Sequence, residues 1–334
     1  MIKKWFWILG VLFLVSCQQN RLKVDVKDII VQLEINRYDQ LIFETEHSNL
    51  IEVLYKEYDI HPDFIDLYFQ DVLRIGKLDD QPFNQSLHDF VTDTVISQVA
   101  GKVLQQFADF SSLTKDLTSG FRHYQYYFPQ KPVPAIYTYV SGFNQSLVFT
   151  DDFIGISLDN YLGSECVFYT YLGIPQYKIK NMYPQKMVSD LFYALALTEF
   201  PKEVQFDNLL SEMVYEGKLV YFTEAMCPEL QDSILIGYSK QQLEWCKKNE
   251  ALMWNFWAEN KLLYSVERLD LQKYIGDAPF TNTFSQESPG RTGVWIGWQI
   301  VRSFMNKHPE ITLDELMNNN NAQEILNQSG YFPE

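Results

Sequence analysis

The chain has 334 residues, 46% of them hydrophobic and 16% aromatic, with 43 acidic and 27 basic side chains and a formal charge of −16. That much aromatic and aliphatic material excludes disorder as a global state, and only 15 Gly and 13 Pro exclude collagen-like and low-complexity classes. The acidic balance argues against nucleic acid as a partner, since phosphate binding needs a basic surface that releases counterions; four cysteines in this length do not make a disulfide scaffold.

The first seventeen residues stand apart. Lys3 and Lys4 precede an apolar run from Trp5 to Val15. A bilayer span takes about 20 residues, so this run reads as the hydrophobic region of a signal peptide and not as a permanent anchor. It closes on Leu14-Val15-Ser16-Cys17, which resembles a bacterial lipobox. The resemblance implies cleavage before Cys17 and acylation of that residue. Gln18, in place of Asp, implies sorting to the outer membrane. The expected organisation is a signal peptide at 1–16, a lipidated N-terminus and polar tether at 17–27, and a single domain at 28–334. Loss of residues 1–16 removes two lysines, leaving 25 basic against 43 acidic side chains and a charge of −18. Cys166, Cys227 and Cys246 are then odd in number and widely spaced, and read as buried thiols.

Ile29 to Tyr38 has strand character, and Asn49 to Tyr58 reads as helix. Pro62 to Ile75 places Phe64, Leu67, Tyr68, Val72 and Ile75 near helical spacing, with Pro62 in the first turn and Gly76 as a stop. Val91 to Phe110 reads as one amphipathic helix, and Phe121 to Phe128 as another ending before Pro129. The β-branched and aromatic segment Ala135 to Val140 predicts a strand. Ser146 to Thr150 and Ile154 to Leu158 follow as strands about an Asp151-Asp152 turn, giving a small sheet expected to be antiparallel. Met187 to Glu199 predicts a helix, and so does Phe206 to Thr223, which carries Glu212 and Glu216 one turn apart. Ser239 to Gln242 is a capping box opening a helix to about Asn260. Arg291 to Asn306 is a further helix, and Thr312 with Glu315 and Asn321 with Glu324 cap two short terminal ones. The fold class expected is α+β, mostly helical, in one domain.

Few patterns carry chemistry. His47, His61, His88, His123 and His308 lie far apart in sequence, so no H-E-x-x-H helix exists. There is no G-x-S-x-G, no P-loop and no G-x-G-x-x-G. Asp79-Asp80 and Asp151-Asp152 read as solvated turns. Glu212 and Glu216 are like charges at i and i+4, which repel unless a partner compensates them.

The segment Ser288-Pro289-Gly290-Arg291-Thr292-Gly293-Val294-Trp295-Ile296-Gly297-Trp298-Gln299-Ile300-Val301-Arg302, with the lipobox, resembles the gliding-motility lipoprotein B (GldB-like) family of Bacteroidota. Asp159 to Gly163, Tyr215-Glu216-Gly217-Lys218, Gly237-Tyr238 leading to Trp245-Cys246, and Ala278-Pro279-Phe280 agree with it. The family is similar to zincin-type peptidases, which implies a zincin-like fold. In that fold two histidines on one helix and a glutamate of a Glu-Gly pair on the next hold zinc. Glu216-Gly217 would match the second helix. The first, in the register Ser189-Asp190-Leu191-Phe192-Tyr193, has no histidine. The resemblance therefore implies a pseudo-peptidase with no catalytic residues, no metal and no cofactor. Its vestigial site would involve Ser189, Asp190, Tyr193, Glu212, Glu216 and Arg291. Arg291 or Lys218 would supply the positive charge that zinc no longer supplies. Gly293 and Gly297 would admit a close helix, and Trp295 and Trp298 would fill the core.

The function expected is that of a non-enzymatic lipoprotein on the outer membrane, tethered through Cys17 and partnered by envelope proteins of a motility and secretion apparatus. Two alternatives stand beside it. One is a hydrolase using Asp190, Glu199, Glu212 and Glu216. The other is a peptide- or glycan-binding protein using the old cleft, edged by the strand at 154–158 and lined by Tyr161, Trp295 and Trp298.

Overall fold

The helix Leu209–Met226 is apolar on nearly every side, and such a helix must be wrapped by others. Around it pack the helices Ser111–Tyr127, Pro184–Glu199, Thr292–Lys307 and Ala322–Ser329. The computed structural model describes residues 21–202 and 208–333, so the signal peptide, Cys17 and the start of the helix expected at 206 lie outside the described residues.

The closest approach is between Leu209–Met226, the central helix, and Thr292–Lys307, the signature helix. A Cβ on Gly297 would lie 1.7 Å from the Met213 carbonyl oxygen, and one on Gly217 would lie 2.3 Å from the Gly297 carbonyl carbon. Backbone therefore packs on backbone. Gly293 faces the same crossing, 3.3 Å from Met213 Cγ by the same measure. Trp295 and Trp298 are 1% and 0% exposed, so they are core residues and not cleft platforms.

The strands are β1 (Ile35–Arg37), β2 (Ala135–Tyr139), β3 (Leu147–Phe149) and β4 (Phe153–Ser157), in the order β1-β2-β4-β3. β1, β2 and β4 run parallel, and only β3 is antiparallel, to β4. The expected antiparallel sheet is thus mixed. The reason lies in residues 141–146, which carry the chain beyond the place beside β2. β3 becomes the outer edge, and the hairpin through Asp151-Asp152 returns β4 to lie next to β2. The strand expected at 29–38 shrinks to three residues, followed at once by a helix at Tyr38–Glu44. Buried Asp39 holds that junction. It accepts from Arg37 at 2.9 and 2.6 Å and from Thr138 of β2.

The period of two along β2 separates two cores. Ile136 and Val140 face the main helical core, while Tyr137 and Tyr139 face a second cluster built from residues 38–92. In that cluster Phe64 stacks on Tyr137 with ring centroids 4.2 Å apart. The unit expected at 62–75 begins as an α-helix at Pro62–Asp66 and widens to a π-helix at Leu67–Val72. Arg74, at φ 59°, ends it before Gly76 is reached. Two helices read as continuous are broken. Asp93 separates Phe83–Thr92 from Thr94–Gln106, because its carboxylate caps Val95 and Ile96. Asn249 separates Lys240–Lys248 from Glu250–Glu259. The capping boxes at Ser239 and Thr312 are both formed. Asn321 caps its helix through Glu324 N, but Glu324 Oε1 turns to Gln328.

The described part of the expected tether lies on the body. Leu22 is 4% exposed within the main core, and Val26 is buried. Cys166, Cys227 and Cys246 are buried and unpaired, as expected.

The helix crossing sets a prediction. Gly297→Ala is expected to destabilise the fold by about 3 kcal/mol in denaturant titration, because the Met213 backbone cannot give way. Gly101→Ala, on an exposed helical face with nothing near its added methyl, should instead stabilise by about 0.5–1 kcal/mol.

Candidate functional site

Glu216 projects from the central helix one residue before the glycine crossing. The Tyr193 hydroxyl, from the helix Pro184–Glu199, donates to Glu216 Oε2. The Arg291 guanidinium donates to the same oxygen at 3.3 Å and reaches the Tyr193 hydroxyl at 3.4 Å. It also lies 5.8 Å from the centroid of the Tyr193 ring. Arg291 and Glu216 are only 24% and 19% exposed, so the pair is sheltered from solvent screening. Burial and the Glu216 carboxylate push the Tyr193 phenol far above its ordinary value, which keeps it a donor. Lys218, the other cation considered, turns away and donates to the carbonyls of Met317 and Asn319 at 2.9 Å.

The remaining expected site residues fall into separate groups. Asp190 accepts from Lys186 at 2.6 Å and from the Tyr161 hydroxyl at 3.4 Å, and Lys186 also reaches Ser189 Oγ at 3.1 Å. Glu212 pairs with Lys202. Glu199 pairs with Lys131 at 2.6 Å and accepts from Tyr124. The like-charge pair Glu212 and Glu216 is therefore compensated by two different cations. Among the described residues, no three His, Cys, Asp or Glu side chains gather so as to hold one metal ion. The donor set that zinc would need is not assembled around Glu216.

Beside Tyr193 and Arg291 opens a cleft of about 670 Å³, within the usual range for ligand sites. Ser146, Tyr161, Ile174, Lys178, Asp190 and Asp277 contribute to its walls. Asp277 lies 3.9 Å from Arg291 Nε and 3.7 Å from Lys178 Nζ, so it joins the cleft to the Arg291 cluster. Lys178, Lys186 and Asp277 were not singled out from sequence. Of these, only Lys186 carried a local signal, its i,i+4 spacing to Asp190. From the sheet only Ser146, the residue before β3, reaches the cleft wall, and the strand at 154–158, expected as the edge, is interior to the sheet.

The family model for gliding motility protein GldB matches residues 19–333, almost the full length of the chain. The chain belongs to the GldB family. Neither a curated protein nor a solved structure matches it.

Among the described residues, several segments on which the GldB resemblance rests have a physical task. In Ser288-Pro289-Gly290-Arg291-Thr292, Ser288 Oγ donates to the Ser285 carbonyl at 2.6 Å and lies 3.2 Å from that of Thr281, and Thr281 Oγ1 donates to the Pro289 carbonyl at 2.8 Å. A Cβ at Gly290 would lie 2.3 Å from the Ala278 carbonyl oxygen, so the loop seats on Ala278-Pro279-Phe280 only as glycine. The Tyr238 hydroxyl lies 2.8 Å from the Gly290 carbonyl and 2.9 Å from that of Arg291. Arg291 itself is held at φ 58°, a left-handed conformation that costs a non-glycine residue about 1 kcal/mol or more. In Asp159 to Gly163, the fully buried Asp159 accepts from Phe143 N at 2.7 Å, Ser141 N at 3.3 Å and Ser157 Oγ. It thereby pins the turn that leads from β2 to β3, while burial holds its carboxyl above the ordinary range.

A double-mutant cycle checks the Arg291–Glu216 interaction. Arg291→Met alone is expected to destabilise by about 2 kcal/mol, because Glu216 is left without a cation. In the Glu216→Gln background the same change should cost less than half as much. Backbone strain at 291 is common to both arms and cancels. Equal costs in the two backgrounds would remove the pair from the site.

Proposed function

We propose that this GldB-family chain is a lipoprotein component of the gliding-motility apparatus, anchored through Cys17 at the outer membrane, whose domain is a peptidase-like scaffold without catalytic activity. The observation that carries the non-catalytic reading is the cluster at Glu216. Tyr193 stands in the register of the second zinc-binding histidine of a zincin, and its hydroxyl touches the carboxylate that stands in the register of the third ligand. Arg291 supplies the positive charge there. Ser189 and Asp190 stand in the other two registers and are engaged by Lys186. These contacts support a zincin-derived geometry in which a guanidinium and a phenol occupy the metal's place. The separately paired carboxylates speak against the hydrolase alternative, since none is left as an unpaired base facing another. The family's description as a gliding motility protein supports a role within a motility complex, with envelope proteins as partners.

The edge strand favours a second reading, in which the cleft takes an extended peptide from such a partner. Ser157 N donates to the Ser146 carbonyl and Thr150 N to the Phe153 carbonyl, so the even-numbered positions of β3 bond to β4. The backbone groups of Leu147 and Phe149 then point outward along an edge that ends at the cleft.

One preparation tests both readings. The full chain, extracted from envelopes in mild detergent, is expected to bring down a discrete set of envelope proteins. Purified, it should carry substoichiometric zinc and cleave no peptide library. Stoichiometric, tightly held zinc or peptide cleavage would sink the pseudo-peptidase reading. Cys17→Ser is expected to move the chain out of the membrane fraction.

A further inference from the structure

Arg21 is the first described residue, and it is already clamped. Its guanidinium donates to the Met305 carbonyl, to the His308 carbonyl at 3.3 Å and to the Ile311 carbonyl at 3.2 Å. These acceptors lie at and just beyond the C-terminus of the signature helix. The last carbonyls of any helix lack intrahelical partners and carry partial negative charge, so a guanidinium there is favourably placed. Leu22 follows into the main core. The segment from Arg21 to Lys27, expected as part of the tether, is thus fixed to the body at Arg21, Leu22 and Val26.

Length then decides the geometry. Four residue steps separate Cys17 from Arg21, and at full extension they cover about 14 Å. A free segment from Cys17 to Lys27 would cover about 35 Å. The signature helix has 16 residues and is therefore about 24 Å long. Its other end carries Arg291, Glu216 and, through Asp277, the cleft.

We propose that Arg21 is an orientation clamp, which holds the face around the C-terminus of the signature helix against the phospholipid headgroups and leaves the cleft at the far end of that helix. The inference rests on the reading of Cys17 as the lipid-bearing residue. The membrane-facing patch comprises Arg21, Lys23, Glu229, His308 and Glu310; Lys23 pairs with Glu229 at 2.9 Å and His308 with Glu310 at 3.1 Å. The partner surface is the bilayer that carries the anchor.

Energy transfer in vesicles tests this. The acylated full chain is reconstituted into phosphatidylethanolamine–phosphatidylglycerol vesicles bearing a headgroup-linked acceptor. A donor is placed at Glu310→Cys beside the clamp, or at Leu172→Cys on the cleft wall. Both positions are exposed, and the three native thiols are buried. Transfer from position 310 should exceed that from 172 by at least twofold. Arg21→Ala should bring the two efficiencies together. Inserting about ten Gly and Ser residues between Gln19 and Asn20 should lower transfer at 310 with the clamp intact, so the outcome does not hang on how R21A folds. Equal transfer from the two sites in the parent chain, or no response to the insertion, would overturn the clamp. Vesicle flotation and the intact mass are read first. A chain that neither floats nor carries acyl mass overturns the lipid-anchor reading, and the clamp falls with it for a separately visible reason.

Discussion

The molecule is organised around one contact without side chains, the crossing of the central and signature helices at Gly217 and Gly297. Two helices normally run 8–10 Å apart, with side chains interleaved between them. Here a carbonyl of one lies where a methyl of the other would be. The axes are thereby drawn together, and residues next to the crossing acquire partners they could not otherwise reach. Glu216 precedes Gly217 by one position and meets a guanidinium from the start of the partner helix. Two turns on, Glu224 receives Arg302 at 2.8 Å through two nitrogens and the Trp298 indole at 2.9 Å, while Arg302 lies 3.7 Å above the Trp298 ring. A close backbone approach at one point thus locates ion pairs on both sides of it.

The charges on the central helix follow from the same constraint. An apolar helix in the middle of a domain tolerates an ionised side chain only when that side chain is matched, since an uncompensated buried charge costs several kcal/mol. Glu212, Glu216, Lys218 and Glu224 each meet that condition with different neighbours: Lys202, Arg291 with Tyr193, two backbone carbonyls, and Arg302. The matching gives each carboxylate its own cation, and two of those cations are shared onward: Arg291 with Asp277 and Arg302 with Asp232.

What could be read in advance was whatever depended on local chemistry. The strands at 135–158, the helix at 184–199, the capping boxes at Ser239 and Thr312, and the small residues at 293 and 297 each act over a few residues, and each is found close to its expected place. The proposed Arg291–Glu216 partnership was legible only because a family likeness put the two side by side. Spacing alone could not, since they are 75 positions apart. Sheet direction was misread because hydrogen-bonding order is set by where residues 141–146 carry the chain, and that path is held by Asp159 from beyond β4. The breaks at Asp93 and Asn249 are hidden for another reason: the apolar spacing continues across them, while the Asp93 carboxylate caps the next helix and the Asn249 amide donates back to the Trp245 carbonyl of the helix it ends. The role of Arg21 left no sequence signal, since its acceptors are backbone carbonyls some 280 positions away.

The sheet has a consequence of its own. Its two faces serve different hydrophobic clusters, one made by residues 38–92 and the other by the helices of the later chain. Tyr137, Tyr139 and Phe153 belong to the first cluster, and Ile136, Ile154 and Ile156 to the second. β2 and β4 are thus a wall shared between two compartments, and each compartment can loosen without emptying the other. The smaller one carries the π-helix and is closed by aromatic packing, with Phe64 on Tyr137, Tyr68 on Tyr139, and Phe69 between Tyr68 and Phe83. The cleft, the glycine crossing and the clamped N-terminus all sit with the larger compartment. The protein is thus built as a large helical compartment that carries the cleft, and a smaller aromatic compartment that meets it across the sheet.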